Sequence, residues 1–150
     1  MKRMFRARWV FILFISFAFY LQSGVCSEKV YNAGVESKII MQSTKTVTGQ
    51  DMKYPEAKMP EVTCLRVKIP PGQETGWHSH TVPGYSYVIS GVLTLEYANG
   101  AAKVFKAGDA FTEVVDTAHN GSNRGAEDVV LVAFFTEDHA VPFTKKEVKL

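Results

Sequence analysis

The residues best suited to chemistry in this chain are three histidines in two places. His78 and His80 stand two apart in Gly72-Gln73-Glu74-Thr75-Gly76-Trp77-His78-Ser79-His80, and His119 follows about forty residues later. On a β-strand, side chains two apart share a face and lie roughly 7 Å apart along it. Two imidazoles so placed can lean toward one ion, each through a metal–nitrogen bond of about 2.1 Å. A third ligand must arrive from elsewhere, and His119 closes a second strand-like run that begins at Gly108. The spacing predicts a metal site inside a small β-barrel. His139, the remaining histidine, lies in a polar terminal segment and reads as a bystander.

Strands must position those histidines, and the chain is punctuated for strands. Glu61–Ile69 alternates, with Val62, Cys64 and Arg66 on one parity and Thr63, Leu65, Val67 and Ile69 on the other. Pro70-Pro71-Gly72 ends it in a turn. Tyr85–Ile89, Val92–Tyr97, Lys103–Phe105, Gly108–Val115 and Val129–Phe135 read as further strands. Ser90-Gly91 and Ala98-Asn99-Gly100 supply turns between them, Asn-Gly being suited to positive φ at both positions. No stretch carries a sustained helical period with caps. Short strands with Gly/Pro punctuation imply a single-domain all-β sandwich or barrel. Its core is assigned to residues 61–136, followed by a C-terminal tail, 137–150. Residues 28–60 form an N-terminal extension with one or two short strands, Val35–Met41 being the first choice. Within it Tyr54–Pro60 must be irregular, because two prolines five apart fit neither a helix nor a central strand.

The chain of 150 residues carries a formal charge of +2, but its N-terminus distorts that balance. Lys2, Arg3, Arg6 and Arg8 precede the apolar run Trp9–Leu21, and no acid occurs before Glu28. A basic start, an apolar core and then the small residues around Cys26 and Ser27 make residues 1–27 a secretory signal peptide. Without them, 13 basic and 15 acidic residues leave a net charge of −2. That excludes a nucleic-acid binder, which needs a clustered basic face. The expected product is an exported, periplasmic or secreted protein with no stable membrane insertion after cleavage, since so short a run is poor for spanning about 30 Å of hydrocarbon. With Cys26 removed, Cys64 is a lone thiol and reads as a small buried hydrophobe.

The two histidine regions resemble the cupins, small jelly-roll barrels marked by two motifs. The first runs Gly-x5-His-x-His, three or four residues, Glu, six residues and Gly; here Gly72, His78, His80 and Gly91 are in register. The second runs Gly-x5-Pro-x-Gly-x2-His-x3-Asn; here Gly108, His119 and Asn123 match, with Val114 and Asp116 in the Pro and Gly places. The resemblance covers about residues 62–135 and extends to the small stand-alone exported cupins of bacteria. It implies a jelly roll of two antiparallel sheets, a metal held by His78, His80 and His119, and pairing into a homodimer. One departure stands out. The acid of the first motif falls on Gly84, so this chain offers the three-His variant.

Alternation gives Glu113 a special place. Phe111 and Glu113 share the inward parity of the second motif region, so Glu113 brings a carboxylate into the cavity or its mouth. It could serve as a fourth ligand, as a partner orienting an imidazole, or as a general base, against the plain alternative of a solvated strand end. If Gly84 faces the metal, then Ser86 and Val88 also face in and line the pocket with Phe111 and Phe134 or Phe135. Tyr85 and Tyr87 then face out, toward a dimer contact. Trp77 should face away from His78 and pack under the barrel or at a subunit interface, while the parity of Arg66 stays open.

The resemblance and the three imidazoles together imply a divalent transition metal, Fe(II) first and Mn(II), Ni(II) or Zn(II) as alternatives, since imidazole suits them all. The leading expectation is an oxygen-dependent, dioxygenase-like oxidoreductase acting on a small organic substrate. The alternatives are a non-catalytic small-molecule-binding barrel, or a metal-dependent isomerase or hydrolytic enzyme working through a metal-bound water.

Overall fold

The computed structural model describes residue 32 and residues 34–148. The expected signal peptide, 1–27, lies outside them. Lys38–Leu150 form one compact unit. The unit contains β1 (Pro60–Ile69), β2 (His78–His80), β3 (Gly84–Ser90), β4 (Val92–Tyr97), β5 (Ala102–Lys106), β6 (Ala110–Thr112), β7 (His119–Asn123), β8 (Val129–Asp138) and β9 (Thr144–Lys146). They form two antiparallel sheets, one ordered β1-β8-β3-β6 and the other β5-β4-β7-β2-β9. This is the all-β jelly roll expected from the motifs.

Alternation determines what each strand buries. In β1 the side chains of Thr63, Leu65, Val67 and Ile69 turn inward, and Val62, Cys64, Arg66 and Lys68 turn to solvent. β1 pairs with β8 over its whole length, from Pro60↔Asp138 to Ile69↔Val129, so a long, twisted double strand backs the core. That core joins Val88, Leu93, Val114 and Val129 with Ile69, Leu95, Tyr97, Phe111 and Leu131. Arg66 is thereby settled as outward. Cys64 is exposed, against the buried place expected for it, because its parity is that of Arg66 and Lys68.

Turn chemistry sets the register of the hairpins. Gly91 has φ of 77°, and a Cβ there would meet the carbonyl oxygen of Asp128 at 2.7 Å, so the β3–β4 turn admits only glycine without displacement. Asn99-Gly100 closes the β4–β5 hairpin, with Gly100 N donating to Tyr97 O at 2.9 Å.

Three expectations need correction. Val35–Met41 is not a strand, and among described residues before β1 the only pairing is a bridge between Lys45 and Asp51. That segment caps the edge of β6: Val47 N donates to Thr112 O and Thr112 Oγ1 to Lys45 O, at 3.1 and 2.8 Å. The run from Gly108 forms a strand only at β6, and His119 opens a strand of its own, β7, rather than closing that run. Residues 137–150 are more than a tail. β8 continues to Asp138, and β9 pairs with β2 at His78↔Lys146, Ser79↔Lys145 and His80↔Thr144.

Candidate metal centre

The first-motif strand β2 and the second-motif strand β7 meet at one pair, His78↔His119. Directly opposed residues in an antiparallel pair project to the same face. His80, two along from His78, joins that face. The ring centroids of His78 and His119 lie 4.4 Å apart, and each is near His80 at 5.0 Å (His78) and 5.0 Å (His119). One ring nitrogen from each of the three falls within 4.8 Å of the others. The fold thus brings His78, His80 and His119 together.

Backbone carbonyls choose the tautomers. His78 Nδ1 lies 2.8 Å from Gly76 O, and His119 Nδ1 lies 2.8 Å from Thr117 O. A carbonyl only accepts, so both Nδ1 atoms carry the proton and donate, leaving Nε2 as a lone pair. His80 Nδ1 sits 3.1 Å from Thr144 Oγ1, which can accept in the same way. Such outer hydrogen bonds orient imidazoles for metal binding and raise their basicity. The loop before His119 is held by Asp116, which takes φ of 50° in the place of the motif glycine and donates its N–H to His80 O at 2.8 Å. Aspartate tolerates this left-handed conformation better than most residues.

Glu113 lies beside one member of the trio, His119. It is buried, with Oε1 accepting from Ser86 Oγ at 2.6 Å. Its Oε2 is buried without a hydrogen-bond partner and lies 4.0 Å from His119 Nε2. Two atoms each bonded to one ion at about 2.1 Å lie no more than about 4.2 Å apart. An orphaned carboxylate oxygen at that distance from a free imidazole nitrogen fits a shared cation.

Gly84 explains how this acid reaches the site. Glu113 N donates to Gly84 O at 2.8 Å, so the two residues are cross-strand neighbours. A Cβ on Gly84 would fall 2.8 Å from Glu113 Cγ and 2.5 Å from Phe135 Cε1. The Glu113 and Phe135 side chains occupy the space that a side chain at position 84 would need.

Burial governs the protonation of these groups. Desolvation first, and then the neighbouring His119 and His78, pull His80 down to about 3. Desolvation pulls His119 down to about 4, with His78 adding to it and the bond to Thr117 opposing. The contact between His119 and Glu113 is therefore no ion pair at neutral pH, and neutral rings are the form a metal needs. Burial pushes Glu113 up to about 7, with the Ser86 hydroxyl opposing. The signs predict the acid behaviour of metal-free protein. Below the ordinary 6.5 of histidine the unfolded chain binds protons that the folded rings refuse, so their stability contribution is lost as pH falls from 6.5 toward 4 and 3. Glu113 contributes in the opposite sense, fully below 4.5 and lost as pH rises toward 7. Thermal melts of metal-free protein should weaken from pH 6.5 to 4, and Glu113→Gln should weaken more steeply. A flat profile for both proteins would contradict these environments.

A cavity of about 380 Å³ opens onto the trio. Its walls are apolar, with Leu65, Val67, Leu93, Leu131 and Phe135 among them, and its polar points include the three histidines, Glu113 and Lys146. Such a lining suits a small organic molecule. Ser86, Val88 and Phe111 face inward and are buried, as alternation predicts, but they do not line the cavity. Glu113 lies against Ser86, while Val88 and Phe111 belong to the packed core, where Phe111 stacks on Phe105 at 4.0 Å. Phe135, not the exposed Phe134, lines the cavity. Trp77 lines it too, contrary to expectation, because it sits in a bend after Gly76, whose φ is 79°, and the strand alternation begins only at His78. Tyr87 faces out as expected. His139 stands apart from the centre, 2.7 Å from Glu61.

The cupin domain family matches residues 65–135. This chain carries a cupin domain. Its fold is shared with a cupin-like protein of Thermotoga maritima, 23% identical over 59% of this chain and 65% of that one, with a TM-score of 0.53. It is shared also with a protein of Klebsiella pneumoniae described by its double-stranded β-helix domain, 23% identical over 63% of this chain and 84% of that one, TM-score 0.50. A DMSP lyase structure aligns at 14% identity and TM-score 0.50, covering 58% of this chain; the cupin spans only 44% of that protein's length. No curated protein matches the chain. Likenesses at these identities establish the fold and leave the activity to the site.

Proposed function

We propose that this cupin is a metal-dependent, oxygen-using oxidoreductase acting on a small organic substrate. His78, His80 and His119 would hold Fe(II), with Glu113 as the acidic group facing the ion. The observation that supports this most is the convergence of three imidazole acceptors in an apolar cavity, with the orphaned Glu113 Oε2 4.0 Å from one of them, His119. A ferrous ion, when bound, would supply activation of oxygen at positions the protein leaves free. The chain's own residues do the rest. Gly76 and Thr117 hold two rings in the metal-binding tautomer, Ser86 fixes one oxygen of Glu113, and the leucine and phenylalanine walls exclude water around the reacting end of the substrate.

We also propose export through residues 1–27 and association of two copies. The solvent face of the β1-β8-β3-β6 sheet supports pairing, because Val62, Tyr87, Ile89 and Phe134 are exposed there. Oxygen uptake by the iron-reconstituted protein across a panel of small acids, thiols and diketones tests the activity. Uptake above that of free iron, lost in His119→Ala, is the expected result. Stoichiometric metal and tight binding of one ligand, with no uptake, would instead favour a binding protein.

A further inference from the structure

The strand β9 brings to the cavity a group that neither cupin motif contains. It lies beyond the residues matched by the family, 65–135, and its pairing with β2 sets Lys146 directly opposite His78 and Thr144 opposite His80. Opposed residues share a face, and the contact of Thr144 Oγ1 with His80 Nδ1 identifies that face as the inner one. Lys146 accordingly lines the cavity, and among the described residues it is the only lysine or arginine that does. It makes no ion pair with any described residue, whereas Lys45, Lys68 and Arg124 each have an acidic partner. Thr75, Thr144 and Lys146 are exposed lining residues and mark the mouth; Glu113 and His119 are buried and mark the floor.

We propose that the cavity takes a small monocarboxylate, with Lys146 holding the carboxylate at the mouth and the apolar body reaching toward the histidine trio. This rests on the reading of the cavity as a substrate site. An unpaired ammonium at the rim of a low-dielectric cleft concentrates anions and strengthens contact with one that is bound. A phosphate would call for more. It is normally met by a fork of arginine donors or several backbone N–H groups, and this wall offers one ammonium as a point charge. The hydroxyl of Thr144 faces His80, and that of Thr75 is engaged with Gly121 N at 3.0 Å. One charge, apolar walls and about 380 Å³ fit a short or aromatic acid.

The test is calorimetric titration of the purified protein with butanoate and benzoate, each beside its uncharged amide. Wild type should prefer acid to amide. Lys146→Met should weaken both acids about tenfold and leave the amides unchanged, and Lys146→Arg should retain most of the preference. Equal affinity for acid and amide in wild type, an unchanged preference in Lys146→Met, or no binding of any of the four would each overturn the proposal. Metal content of the same samples separates this from the metal reading. Lys146 contributes no ligand to the trio, so a full metal complement with no acid preference removes the carboxylate alone. An acid preference without metal would leave the carboxylate site and remove the metalloenzyme.

Discussion

Purified wild-type protein should contain about one equivalent of a divalent transition metal, and His78→Ala/His119→Ala should contain none. The expectation follows from what the double substitution leaves behind. Of three converging imidazoles it retains His80, together with Glu113, and a single nitrogen with a single oxygen cannot enclose an ion that takes four or more ligands. Affinity should fall by several orders of magnitude, since even the outer partners of metal ligands are worth about 10- to 100-fold. The trio lines a cavity, so the substitutions enlarge an existing space; His119, at 1% exposure, is the one whose loss requires a melting curve as control. His139→Ala is the matched control for removing a histidine. It stands in an exposed contact with Glu61 and should leave the metal in place. Iron in the native protein would agree with oxygen chemistry, and zinc would point to Lewis-acid work. Absence of metal from wild type purified after growth in supplemented medium would sink the metalloenzyme reading.

The site was legible in the sequence wherever two residues share a strand face. The shared face of His78 and His80 rests on the period of two within β2. Glu113 lies one residue past β6, where Phe111, Thr112, Glu113 and Val114 are all buried, so its placement comes from its bond to Gly84 O and not from parity. Depth is a different matter. Alternation says that Ser86, Val88 and Phe111 point inward, but which end of the barrel is sealed depends on side chains arriving from other strands. Phe105 stacks on Phe111, and Glu113 covers Ser86, so that end is filled. The period also has to be running before it can be used: Trp77 precedes the strand by one residue and is turned by the bend at Gly76. β9 was illegible for another reason. Thr144-Lys145-Lys146 is short, polar and at an edge, and its partner β2 lies more than sixty residues away in the chain. Cys64 shows the limit of composition, since the exposed placement of this usually buried residue follows from the parity of Lys68 and Arg66.

Glu113→Gln should weaken metal binding about 10- to 100-fold while leaving the fold intact, and Gly84→Ala should damage both. Glutamine keeps the shape of the side chain and an oxygen for the Ser86 hydroxyl, but it removes the charge that Oε2 directs toward His119. The substitution should also relieve metal-free protein of a buried, partnerless carboxylate oxygen, so its melting temperature at neutral pH should hold or rise even as metal is lost. Gly84→Ala works through space. Its Cβ would meet Phe135 at 2.5 Å and Glu113 at 2.8 Å, closer than atoms tolerate, so one or both side chains must shift. Such overpacking costs about 1–3 kcal/mol, and the shift of Glu113 carries Oε2 away from the ion. If the two positions compete for one space, the effects cannot add. In a Glu113→Ala background the contact with Cγ is gone and only that with Phe135 remains, so Gly84→Ala should cost less there than in wild type. A double-mutant cycle on melting stability should give a coupling of about 0.5–3 kcal/mol, the range found for residues in contact. Additive losses would mean that Gly84 and Glu113 serve separate purposes, and the acid would then have to be explained without reference to the vacancy at position 84.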